Sequence, residues 1–149
     1  MSGQQESVAD AAPTILVIDE QLLLSSALAH GLRGQGLDAH SLCITDLAGV
    51  LSAALAHRPG LVLLDLDLRC APDGRPINGV DLVAPLHAQG WTVLVITSAE
   101  SLDRIADALA QGAVNWIGKG ATFAGLVHAA VEIMQGRGQL VPADCAAQI

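Results

Sequence analysis

Apolar residues along this chain fall into short unbroken runs, separated by stretches in which they recur every three or four positions. Ile15-Leu16-Val17-Ile18, Leu61-Val62-Leu63-Leu64, Trp91 to Ile96 and Val114 to Gly118 lack the alternation of a half-exposed strand, as expected of strands covered on both faces. Asp38 to Cys43 is a weaker second strand. Leu24, Leu28 and Leu32 form a helical stripe stopped by Gly34 and Gly36. Asp46 is placed to cap a helix whose inner face holds Leu47, Leu51 and Leu55, ending before Pro59. Arg69 to Asn78, with two prolines and Gly74, is predicted to be a loop. Asn78 would cap a third helix with Val80, Val83 and Leu86 inside, where Pro85 implies a kink or a late start. A fourth helix carries Leu102, Ile105 and Leu109 on one face and stops at Gly112. Thr122 caps a last one bearing Phe123, Leu126, Val127, Ala130 and Met134. Five strands alternating with five helices call for a parallel sheet with helices on both faces, joined by right-handed crossovers.

The regular pattern spans residues 14–136, preceded by a polar lead-in over 1–13 and followed by a tail or the start of a linker over 137–149. A length of 149 residues with 52% hydrophobic content suits one domain with a single core. A net charge of −8 argues against direct nucleic-acid binding by this chain, because phosphate contacts need a basic face. Cys43, Cys70 and Cys145 form no CxxC pair, so neither a disulfide framework nor a zinc site is indicated. With no signal-peptide pattern and no long apolar stretch, the expectation is a soluble cytoplasmic protein without a membrane span.

Chemistry concentrates where the runs end. Asp19-Glu20, Asp65 and Thr97 close three of them, and the only lysine, Lys119, closes the fourth. In an open parallel sheet these ends share one edge, where such folds bind ligands. Two carboxylates about 4 Å apart repel by roughly 4 kcal/mol at an effective dielectric near 20, so a group of this kind favours a bound cation. Oxygen ligands alone suit a hard ion, and Mg²⁺ readily keeps waters and takes a phosphate oxygen. One carboxylate could then attack phosphorus, with Lys119 and the Thr97 hydroxyl meeting the charge on the transferred oxygens.

The order Asp19-Glu20, Asp65, Thr97, Lys119 resembles the receiver domains of two-component response regulators, over roughly Thr14 to Gly136. The resemblance implies a flavodoxin-like (βα)5 fold with strand order 2-1-3-4-5, and a non-enzymatic switch phosphorylated on Asp65 by a histidine kinase or phosphotransfer protein. It also implies Mg²⁺ held by Glu20 directly, by Asp19 mainly through water, by Asp65 and by the backbone carbonyl of Asp67. Thr97 and Lys119 would contact the phosphoryl group, and Trp116 would occupy the position of the aromatic switch residue. A homodimer through the last helix is a further expectation. Residues Met134 to Pro142 resemble the stretch leading to a LuxR-type DNA-binding module, which implies a transcription regulator as one output.

Several positions depart from the family pattern. Glu20 stands where a second aspartate is usual, Gly120 where proline often follows the lysine, and Leu68-Arg69 where a proline usually follows the phosphoacceptor. The segment from Asp65 to Asn78-Gly79 is about six residues longer than usual for such domains. Asp67 lies near the expected path of the hydrolysing water, where an acid would repel anionic phosphodonors or orient that water. Two other functions compete: a receiver-like interaction module that is not phosphorylated, and a phosphatase, since Leu64-Asp65-Leu66-Asp67 also resembles the Asp-x-Asp of haloacid dehalogenase-like enzymes.

Overall fold

The computed structural model of the chain describes residues 13–42, 44–69, 75–97, 102–118 and 122–135. Strand β1 (Thr14–Ile18) leads through helix α1 (Leu22–Gly34) to β2 (Asp38–Ser41), and α2 (Leu47–Ala54) leads to β3 (Leu61–Asp65). Two short strands follow, β4 (Asp67–Arg69) and β5 (Pro76–Asn78), then α3 (Val80–Ala88) and β6 (Thr92–Thr97). Helix α4 (Leu102–Ala110), β7 (Asn115–Gly118) and α5 (Phe123–Met134) complete the described chain.

Five strands form one sheet in the order β2-β1-β3-β6-β7, every neighbouring pair parallel. Leaving aside the short β4 and β5, this is the expected 2-1-3-4-5 order. All five residues of β1 and of β3 are buried, which is why those runs do not alternate. Alternate residues feed two cores. Leu16, Ile18, Val62, Leu64, Val95 and Trp116 pack with α2, α3 and α4, while Ile15, Val17, Leu63, Leu94 and Ile117 pack with α1 and α5.

The predicted loop over Arg69 to Asn78 is corrected at both ends: β4 and β5 pair antiparallel, Asp67 opposite Asn78 and Arg69 opposite Pro76. Leu68 is buried and Ile77 packs against the same core, so the hairpin has an apolar inner side. Pro76 stands at the first position of its strand, where a missing N–H is tolerated. Gly79, not Asn78, takes the cap position of α3, although Asn78 Oδ1 accepts from Val80 N at 3.2 Å. Pro85 lies within α3, which starts at Val80 and so does not start late. Asp46 and Thr122 cap α2 and α5 as expected, accepting from Gly49 N at 2.7 Å and Gly125 N at 3.0 Å.

Three predicted inner faces hold in part. Ile105, Leu126 and Ala130 are buried as expected, and Leu47, Leu51, Val127 and Met134 pack against the cores, whereas Leu55, Leu102, Leu109 and Phe123 are exposed and Val50, Ala54 and Ala108 are buried in addition. A spacing of four drifts by about 40° per step on a helix of 3.6 residues per turn, so Leu55 ends well away from Leu47. The alanines at these contacts also let the short helices lie close to the sheet.

Candidate functional site

The ends of β1, β3 and β6 build the site. Ile18 is the register partner of Leu64, so Asp19 and Asp65, the next residues, stand side by side on strands about 4.8 Å apart. Both are buried. Asp19 Oδ1 accepts from Gln21 N at 2.7 Å, which fixes the turn out of β1, and Asp65 Oδ1 accepts from Asp67 N at 3.0 Å, which fixes the turn out of β3. On the other side Asp65 pairs with Ile96, which sets Thr97 one residue further along the neighbouring strand. Thr97 is fully buried, yet its Oγ1 has no hydrogen-bond partner among the described residues. Buried hydroxyls are nearly always satisfied, so this one is available to a partner other than the described residues.

Gly118, the register partner of Thr97, brings β7 to the same edge. Lys119 follows it but lies outside the described residues. Trp116 is buried opposite Val95, and its ring packs in the core that includes Ile105 and Ala108 of α4. Thr97, two residues beyond Val95, directs its side chain to that same face of the sheet. The expected switch pair thus shares one layer with α4.

Glu20 is exposed and lines an open cleft of about 230 Å³ with Asp67, Asn78 and Arg104. Among the described residues no three His, Cys, Asp or Glu side chains come together as a metal-holding group. The donor set at the strand ends is therefore two adjacent carboxylates, Asp19 and Asp65. That set fits Mg²⁺, which typically takes one or two carboxylates and completes its shell with water and a phosphate oxygen.

Two residues that the sequence pattern did not single out for the site shape it. Gly79 returns the hairpin to β3, donating to the Leu66 carbonyl at 2.8 Å. A Cβ there would meet the Asp65 carbonyl oxygen at 2.5 Å and the Leu66 Cα at 2.7 Å, so only glycine allows this approach. Arg104 of α4 donates from Nη1 to Asp67 Oδ1 at 2.5 Å and from Nη2 to Asn78 Oδ1 at 2.9 Å and to the Leu66 carbonyl. It is the neighbour of a buried Ile105 on an otherwise acidic and apolar helix, a cation on the inner flank, and that was the one signal available.

Residues 15–131 match the response regulator receiver domain family. Over 87 residues the chain is 36% identical to the DNA-binding response regulator MtrA of Mycolicibacterium paratuberculosis, covering 58% of this chain and 35% of that protein. The same protein of Mycobacterium tuberculosis matches equally, so the chain spans about a third of the length of these curated relatives. Among solved structures, the CheY-like receiver domain protein of Methanospirillum hungatei superposes with a TM-score of 0.71 at 20% identity, over 85% of this chain and 97% of that one. A response regulator of Burkholderia pseudomallei, solved with a phosphorylated aspartic acid, a calcium ion and citrate, gives a TM-score of 0.65 at 25% identity, over 83% and 72% of the two chains.

Proposed function

This chain belongs to the response regulator receiver domain family, and from that premise we propose that it is a phosphorylation-controlled switch whose phosphoacceptor is Asp65. One observation carries the assignment: Asp65 is buried at the end of the central strand, between Asp19 on one neighbouring strand and the unsatisfied Thr97 hydroxyl on the other. The Asp67 amide, 3.0 Å from Asp65 Oδ1, holds one carboxylate oxygen and so orients the other for attack. That oxygen forms a bond to phosphorus as the bond to the donor breaks, leaving an acyl phosphate on Asp65. The Thr97 hydroxyl then donates to a phosphoryl oxygen, and Lys119 pairs with another.

Asp19 and Asp65 would hold Mg²⁺, with Glu20 and the Asp67 carbonyl as the further candidates. When bound, the ion supplies positive charge to the phosphoryl oxygens and offsets the repulsion between neighbouring carboxylates. The donor is a histidine kinase or a phosphotransfer protein in the cytoplasm. As Thr97 is drawn toward the phosphoryl group, the layer it shares with Trp116 and α4 rearranges, and a coupling of about 1–3 kcal/mol is enough to change partner affinity five- to a hundredfold. The output is a partner protein, a second copy meeting the exposed Phe123 side of α5, or a DNA-binding module of the kind that the name of the mycobacterial relatives implies.

The test is mass spectrometry after incubation with acetyl phosphate and Mg²⁺. The chain gains one phosphoryl group, and Asp65→Asn gains none. Absence of any adduct under conditions that load other receivers would favour a phosphorylation-independent interaction module, for which the exposed position of Glu20 is the supporting observation.

A further inference from the structure

Two residues beyond Asp65, Asp67 presents a second carboxylate whose side chain is 57% exposed. A phosphodonor approaching Asp65 is itself an anion, and this charge opposes it. Arg104 reaches across from α4 to meet that carboxylate, and the Leu66 carbonyl and Asn78 Oδ1 accept from the same guanidinium. Three acceptors on one planar group, with the arginine side chain 30% exposed, make a fixed arrangement rather than a mobile surface pair.

We propose that Arg104 is a positioning residue for phosphoryl transfer: it holds the Asp67 carboxylate against the hairpin and cancels its charge, keeping the approach to Asp65 open to doubly charged phosphodonors. The inference rests on the phosphoacceptor role of Asp65 and adds a charge-selective gate to it. With acetyl phosphate, the Asp65 oxygen bonds to phosphorus while the bond from phosphorus to the acetyl oxygen breaks, and acetate leaves with the electron pair. With phosphoramidate the P–N bond breaks and, its nitrogen being already protonated, ammonia leaves. Near neutral pH the first donor carries two negative charges and the second a net one, so the pair reads the local charge.

Initial rates of phosphoryl incorporation are compared for both donors at low and high salt, with folding checked by circular dichroism. Arg104→Ala is expected to slow acetyl phosphate about five- to tenfold and phosphoramidate about twofold or less, with the gap narrowing at high salt. Arg104→Lys should recover part of the loss, and Arg104→Ala combined with Asp67→Asn should return to within about twofold of the unsubstituted chain. Asp67→Asn alone leaves the Leu66 and Asn78 bonds of Arg104 in place and should raise the rate with acetyl phosphate relative to phosphoramidate; it serves even where Arg104→Ala does not fold. Equal slowing of both donors with no recovery in the double variant, or no donor-dependent change in Asp67→Asn, overturns the inference while leaving Asp65 as acceptor. Failure of the unsubstituted chain to accept phosphate from either donor is a different result: it removes the phosphoacceptor premise, and the inference with it.

Discussion

Replacing Thr97 by valine separates what its hydroxyl costs the resting fold from its proposed contribution to signalling. The side chain is fully buried and Oγ1 has no hydrogen-bond partner among the described residues, so within them it is an unsatisfied polar group. Such a group costs about 1–3 kcal/mol, and valine fills the same space with a methyl group. Taking the lower end, because a hydroxyl can rotate toward a weak acceptor, Thr97→Val should be more stable by about 1 kcal/mol. For a chain of 149 residues that raises Tm by about 2–4 °C. Thr97→Ser keeps the hydroxyl and loses the methyl, and should fall by about 1 kcal/mol.

The functional sign is opposite. The phosphorylated state is the one in which Oγ1 would gain an acceptor, so valine forfeits a hydrogen bond to a charged group, worth about 1.5–3 kcal/mol. Urea unfolding of both forms, with Mg²⁺ and acetyl phosphate or beryllofluoride, measures the two effects on one scale. Unphosphorylated Thr97→Val should unfold at higher urea than the unsubstituted chain, and should gain less stability on phosphorylation. A variant that is less stable at rest and responds normally to phosphorylation would show that the hydroxyl has no role in the switch.

Two further outcomes follow from the packing. Gly79→Ala places a Cβ against the backbone of Asp65 and Leu66 and should cost about 1–3 kcal/mol, with slower phosphorylation because the displaced atoms belong to the proposed acceptor and its neighbour; unchanged urea midpoint and rate would refute the close approach. Both tryptophans are buried, so Trp91→Phe leaves Trp116 as a single reporter, whose blue-shifted emission should change when acetyl phosphate and Mg²⁺ are added. A spectrum that does not move would remove Trp116 from the switch.

The strand ends were legible because burial on both faces imposes unbroken apolar runs, and the first polar residue after such a run must lie at the sheet edge. Ile18 opposite Leu64 and Asp65 opposite Ile96 then bring Asp19, Asp65 and Thr97 together with no further assumption. Helix faces were less legible, because the sheet accepts small residues such as Ala54 and Ala108 while some stripe leucines, Leu55, Leu102 and Leu109, stay outside. Arg104 was barely legible: beyond its place beside buried Ile105 nothing local marked it, since its three acceptors lie 26 to 38 residues away in sequence. The hairpin itself explains how the long segment after Asp65 is tolerated. Gly79 donates to Leu66 at 2.8 Å and Asp67 pairs with Asn78, so the two ends of that segment meet whatever its length. The chain re-enters α3 one hydrogen bond from where it left β3, and the Asp65 carboxylate is held by its own turn whatever lies beyond.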